Sequence, residues 1–195
     1  MKRIVPFSRD DANFRYALKH WQESALAFHG EVTCDHFRKG HLIHTQTGKN
    51  TFTTEGLAYL LNVMFYSTGK AAALGFYVGI FHTSAYPAVG DTAATALGAG
   101  GSYGESQDAD YTPATNKPQY TAASTSTVTC TNSGAPAVFT IVPISVTIYG
   151  AFLSNVADKT AVNGKLMCAK RFGTARAVTT ADVLSVTYAI TCTTG

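Results

Sequence analysis

Asp182-Val-Leu-Ser-Val-Thr-Tyr-Ala-Ile-Thr191 decides the fold class. Leu184, Val186, Tyr188 and Ile190 fall on one face of an extended chain, and Val183, Ser185, Thr187 and Ala189 fall on the other. A period of two built from β-branched and aromatic residues is that of a strand with one face on a core. Toward the N-terminus, Lys165–Phe172, Val146–Leu153 and Ala137–Val142 read as further strands, punctuated by Pro143, Asn163-Gly164 and Gly173. Gly75–His82 is apolar on both faces and reads as a fully buried central strand. The expected fold is mainly β: an antiparallel β-sandwich or jelly-roll-like body over residues 50–195.

One packed α-helix interrupts that pattern. Thr53 or Thr54 caps a segment running to Tyr66, and Glu55 sits in its first turn, where the helix dipole favours a carboxylate. Leu57, Leu60, Leu61, Met64 and Phe65 form its predicted apolar face. Residues 1–49 read as a separate N-terminal extension. Asp10-Asp11 caps a helix from Ala12 to Phe28 with Phe14, Ala17, Trp21, Ala25 and Phe28 as its stripe and Gly30 as its stop. Glu31–Arg38 and His41–Thr47 follow as a hairpin turning at Lys39-Gly40. Between Thr83 and Pro118 lies a long stretch rich in Ala, Gly, Thr and Ser, expected to be a functional or disordered loop. Gln119–Thr131 reads as a polar edge strand.

The 195 residues make about one domain, and only 14% of them are charged, against about 25% in an average soluble domain. The mean hydropathy is +0.04. A disordered chain or a highly charged bundle is excluded by that composition. Net charge is +3, with Lys2, Arg3, Arg9, Arg15 and Lys19 in one loose group and Lys159, Lys165, Lys170, Arg171 and Arg176 in another. Neither is a run, so no nucleic-acid partner is expected. No apolar stretch approaches the roughly 20 residues of a membrane-spanning helix, and no leader pattern is read at the N-terminus. Cys34, Cys130, Cys168 and Cys192 are widely spaced, which implies buried thiols rather than a disulfide framework.

Catalytic motifs are missing from the sequence: no G-x-S-x-G, no G-x-x-x-x-G-K-[ST], no H-E-x-x-H. The glycine run Gly98-Ala-Gly-Gly101 neither follows a strand nor opens a helix, and reads as a flexible loop. Asp108 and Asp110 read as solvated loop carboxylates. Cys34, Asp35, His36, His41 and His44 are the most chemical-looking cluster, since Cys34 and His36 share one side of a strand and His41 or His44 stands across the hairpin. Their spacing matches no zinc motif, so polar surface or subunit contact is expected, with no metal and no cofactor.

A series of short motifs carries a resemblance: Asn50-Thr-Phe-Thr-Thr-Glu-Gly-Leu-Ala-Tyr-Leu-Leu-Asn62, Gly75-Phe-Tyr-Val-Gly-Ile-Phe81, Asp91-Thr-Ala-Ala94, Val138-Phe-Thr-Ile141, Ile148-Tyr-Gly-Ala-Phe-Leu153, Arg171-Phe172 and Asp182-Val-Leu-Ser-Val-Thr-Tyr188. Over about residues 50–192 the chain resembles a family of small structural proteins of tailed bacteriophages, most like capsid decoration (cement) proteins. The resemblance implies a β-rich virion protein without catalytic residues, assembled in the host cytoplasm. It would clamp the outside of the major capsid shell, with the major capsid protein and copies of itself as partners. Arg15 and Trp21, with Phe14 and Phe28, are the expected capsid contacts, since aromatic and Arg residues dominate interface energetics. The alternatives are a tail, neck or fibre-base component, and a host-surface module whose Tyr86, Tyr103 and Tyr111 stack on a glycan.

Overall fold

A computed structural model describes residues 26–65, 75–107, 109–113, 115–123, 127–143, 145–159 and 161–194. In chain order the strands are β1 (Leu26–Arg38), β2 (His41–Lys49), β3 (Thr51–Phe52), β4 (Tyr77–Phe81), β5 (Tyr111–Thr112), β6 (Thr129–Thr131), β7 (Ala137–Ile141), β8 (Val146–Ser154), β9 (Leu166–Val178) and β10 (Val183–Thr194). The helices are α1 (Thr54–Phe65) and the short α2 (Ala93–Ala96). The alternating segment Asp182–Thr191 forms most of β10, which holds the larger sheet together. It pairs with β1 along one edge, and with β7 and then β6 along the other; β2 lies beyond β1 and β5 beyond β7. The smaller sheet runs β3-β9-β8-β4, and every pairing in both sheets is antiparallel. Leu184, Val186 and Tyr188 of one sheet and Val78, Ile148, Leu153 and Val178 of the other are buried in one shared core. The fold is mainly β and sandwich-like, as its alternation predicts.

The strand pairings depart from expectation in four places. The hairpin of residues 26–49 belongs to the body rather than to an extension, because β1 pairs with β10 from Leu26↔Thr194 to Phe37↔Val183. Its turn is where the sequence puts it, with Lys39 and Gly40 both at positive φ (53° and 78°), as a two-residue hairpin turn demands. Leu26–Phe28 is therefore strand, not the end of a helix; Ala12–Ala25 lies outside the described residues. The segment Tyr77–Phe81 is buried but stands at a sheet edge rather than in the centre. Its free edge is covered by the chain between Gly104 and Gln119: Val78 N donates to Pro118 O, Ser106 N to Ile80 O and His82 N to Gly104 O. Of the predicted edge strand Gln119–Thr131, only Thr129–Thr131 forms β6.

The loop 83–118 is a third layer rather than a free segment. Ala93, Ala96, Leu97 and Tyr103 pack with Phe81, Phe152, Leu166 and Ala169 into a second core on the far face of the smaller sheet. This explains why β8 is apolar on both faces. Within it, Gly79 pairs with Phe152 and Gly150 with Phe81 across the β4–β8 ladder. A Cβ on either glycine would overlap the opposing ring, so each phenyl lies over a residue that has no side chain.

Helix α1 also docks by a glycine. Thr53 caps it, accepting from Gly56 N at 3.0 Å while its hydroxyl donates to Leu166 O. A Cβ at Gly56 would overlap the Met167 backbone, so the helix sits directly on β9 there. Tyr59 and Leu60 pack on the core, whereas Leu61, part of the predicted apolar face, is 54% exposed. The stripe is rotated because close approach at Gly56 sets the contact line. Leu61→Ala is accordingly expected to change stability by no more than about 0.5 kcal/mol, and Gly56→Ala to cost about 1–3 kcal/mol or more by overpacking. Urea unfolding of the two variants checks the pair, and equal effects would contradict this docking.

Candidate functional site

The predicted capsid contacts are only partly placed. Phe14, Arg15 and Trp21 lie outside the described residues. Phe28 is half-buried in β1, its ring 6.3 Å from that of Phe52. The sugar-stacking tyrosines divide: Tyr86 is 76% exposed, but Tyr103 and Tyr111 are buried in the two cores and present no face to a ligand. Tyr103 instead donates from its hydroxyl to Asp91, and burial raises its pKa far above the ordinary value for tyrosine. Asp110 accepts from Gln107 N at 2.7 Å, a turn contact; Asp108 lies outside the described residues.

Of the Cys34–His44 cluster only Cys34 and His36 enter the core; Asp35 and His44 are half-buried and His41 is exposed. Cys34 and His36 do share one side of β1, and both are fully buried. Burial pushes the Cys34 thiol up to about 12, which makes it inert. His36 Nδ1 lies 3.2 Å from Arg176 Nη2, and its Nε2 lies 3.0 Å from Asp182. A guanidinium can only donate, so Nδ1 accepts and the Nε2–H donates to the carboxylate. Desolvation is the main cause that lowers the His36 pKa, and Arg176 and Arg38 add to it. Arg38 reaches the same Asp182 from Nε at 2.9 Å and Nη2 at 2.7 Å. The arrangement clips β1 and β9 to the turn before β10. Among the described residues, no three His, Cys, Asp or Glu side chains stand close enough to hold a metal ion.

One glycine of the run does hold a carboxyl group, an internal one. Gly98 N donates to Glu105 Oε2 at 2.8 Å, and Glu105 Oε1 accepts from Lys117 Nζ at 2.9 Å, with both side chains fully buried. Sequence reading missed this pair, because nothing in the spacing of Glu105 and Lys117 marks it.

A further surface feature is a seam where the edge of β2 meets β9. Gln46 bridges the two strands with its side-chain amide, donating to Thr174 O and accepting from Thr174 N. Beside it, Lys49, Lys170 and Arg171 line an open cleft of about 250 Å³ with Tyr86 and Pro87 on its rim. Arg171 is held in place: its guanidinium lies 4.3 Å from the Tyr86 ring centre and donates to Ser84 Oγ at 3.0 Å. Lys170 lies across Gly48, where a Cβ would collide with its Cε. A second, larger depression of about 410 Å³ adjoins it at Lys49, floored by Gly30 and Ala189 and flanked by His29, Glu31 and Thr129. In the sequence Lys170 and Arg171 belong to a loose basic group; their convergence with Lys49 needed the fold. No protein-family model, no curated protein and no solved structure matches this chain.

Proposed function

We propose that this chain is a structural virion protein of a tailed bacteriophage, a capsid decoration protein bound to the outside of the major capsid shell. The observation that supports the reading is where the resembling motifs meet. Glu55 of the T-x-E-G-L motif accepts from Ala93 N of the D-T-A loop at 2.8 Å and from Leu166 N at the head of β9 at 2.9 Å. The glycine and phenylalanine of Y-V-G-I-F interlock with those of I-Y-G-A-F-L across one ladder. Four motifs scattered between residues 50 and 153 are thus linked around the smaller sheet, where Ala93 packs with Phe81 and Phe152, while Val138–Ile141 and Asp182–Tyr188 lie in the larger sheet. A weakly charged body with a threonine-rich outer face suits close-set copies on a lattice. Thr33–Thr47 and Thr129–Thr191 link its strands hydroxyl to hydroxyl at 2.9 and 2.8 Å.

The expected result is a copy number in purified virions equal to that of the major capsid protein or a simple fraction of it, read by quantitative mass spectrometry. A handful of copies would shift the reading to the tail or neck, and absence would end it. The anchor role of Phe14, Arg15 and Trp21 is tested by deleting residues 1–25. Cutting at residue 30 would strip the β1 residues that pair with Ile190–Thr194. Loss of attachment with an unchanged thermal melt is expected, and full attachment would refute the anchor.

A further inference from the structure

We infer that the β2–β9 seam binds an acidic polypeptide segment, with Lys49, Lys170 and Arg171 as its carboxylate contacts and Tyr86 stacked on Arg171 at the rim. The inference rests on the decoration reading, in that the segment would belong to the shell protein, but the site is argued from its own geometry. All three cations line one cleft, and among the described residues none has a carboxylate within ion-pair distance, in a chain where other basic side chains such as Arg38, Lys117 and Lys165 do. Glu31 is opposite Lys49 in register, yet no ion pair joins them. Leaving such charges together and unneutralised costs repulsion that a partner's carboxylates would relieve.

Arg171 is the built element. Stacking on Tyr86 and the Ser84 hydrogen bond orient its fork in advance, so little rotamer freedom is lost when a carboxylate arrives. The cleft is open and shallow, which fits an extended chain lying along the seam better than a small molecule enclosed by walls. Lys49 also lines the adjoining depression, which would let the segment run on across the outer face.

The test uses the full chain and a fluorescein-labelled oligoglutamate peptide, followed by anisotropy. Saturable binding that weakens steeply with salt is expected. Lys49→Glu/Lys170→Glu should weaken it by about tenfold or more. Arg171→Lys, which keeps the charge but loses the planar stack, should weaken it less, and the thermal melts of both should match the parent. No saturable binding, indifference to the double charge reversal, or displacement of the peptide by inorganic polyphosphate at far lower concentration would overturn the assignment. The charge-reversed chain is then added to virions lacking the protein. Full decoration by it would reject the seam while keeping the decoration reading. Oligoglutamate binding by a chain that is absent from virions would reject the reading and keep the site.

Discussion

Lys117→Ala is expected to destabilise the fold by about 3–5 kcal/mol, the range for removing one partner of a buried ion pair. The lysine lies beneath the loop layer with its side chain fully buried, between Glu105 at 2.9 Å and the Asp158 carbonyl at 2.6 Å. Without it, Glu105 keeps only the Gly98 N–H, and the Asp158 carbonyl loses the lysine as donor. Burial already pushes the Glu105 carboxyl above its ordinary range, against the pull of Lys117 and that N–H. Removing Lys117 raises it further.

A carboxyl that binds its proton more tightly when folded stabilises the fold at low pH and loses that contribution as pH rises through its folded value. The Lys117→Ala deficit should therefore be larger at about pH 8 than at about pH 5. Guanidinium unfolding at both values reads it directly, and a deficit independent of pH would mean that Glu105 is not left as an unpaired charge. The double variant Glu105→Leu/Lys117→Met should cost less than either single truncation, because it buries no charge. It should still leave a residue of about 1–3 kcal/mol from the orphaned Gly98 N–H.

That pair also marks the limit of what the sequence discloses. Alternation in 182–191 and the turn at Lys39-Gly40 are local signals, and strands, hairpin and antiparallel class follow from them. Burial of 83–118 is not local. Ala93, Ala96 and Leu97 are too few and too small to show a period, and the segment becomes a layer only because β8 and β9 offer it Phe152, Leu166 and Ala169. The edge position of β4 was hidden for the same reason: a strand covered on its edge by a loop reads like one flanked by strands. Leu61 misled because helical periodicity finds the apolar side, while a backbone contact at Gly56 chooses the docking line. In the candidate site, Lys170 and Arg171 were visible as charges. Lys49, 121 positions before Lys170, joins them only when β2 is laid beside β9, and Tyr86, 85 positions before Arg171, only when the loop after β4 folds back onto β9.

Asp182→Asn should be the next most damaging of these changes, by about 2–4 kcal/mol at neutral pH, with the contribution of half-exposed Arg38 discounted for solvent screening. The carboxylate accepts from His36, from Arg38 twice and from Thr179 N at 2.9 Å. An amide at that position would turn a donor toward these donors. The Arg38 hydrogen bond, ahead of those from Thr179 and His36, holds the Asp182 carboxyl far below its ordinary value of 3.8. Its contribution is therefore complete above that value and is lost as pH falls below it. His36 acts in the same direction from a higher starting point. With its pKa lowered from 6.5, its neutral form stabilises the fold, and that contribution begins to fade as pH falls below 6.5. Protonation there would also aim an N–H at the Arg176 guanidinium. The parent chain should thus lose stability in two stages on acidification. Asp182→Asn should lack the lower stage, so that the gap between parent and variant narrows from about pH 4 downward. A gap as wide at about pH 2.5 as at about pH 7 would show that the ionised carboxylate is not what clips β1 and β9 to β10.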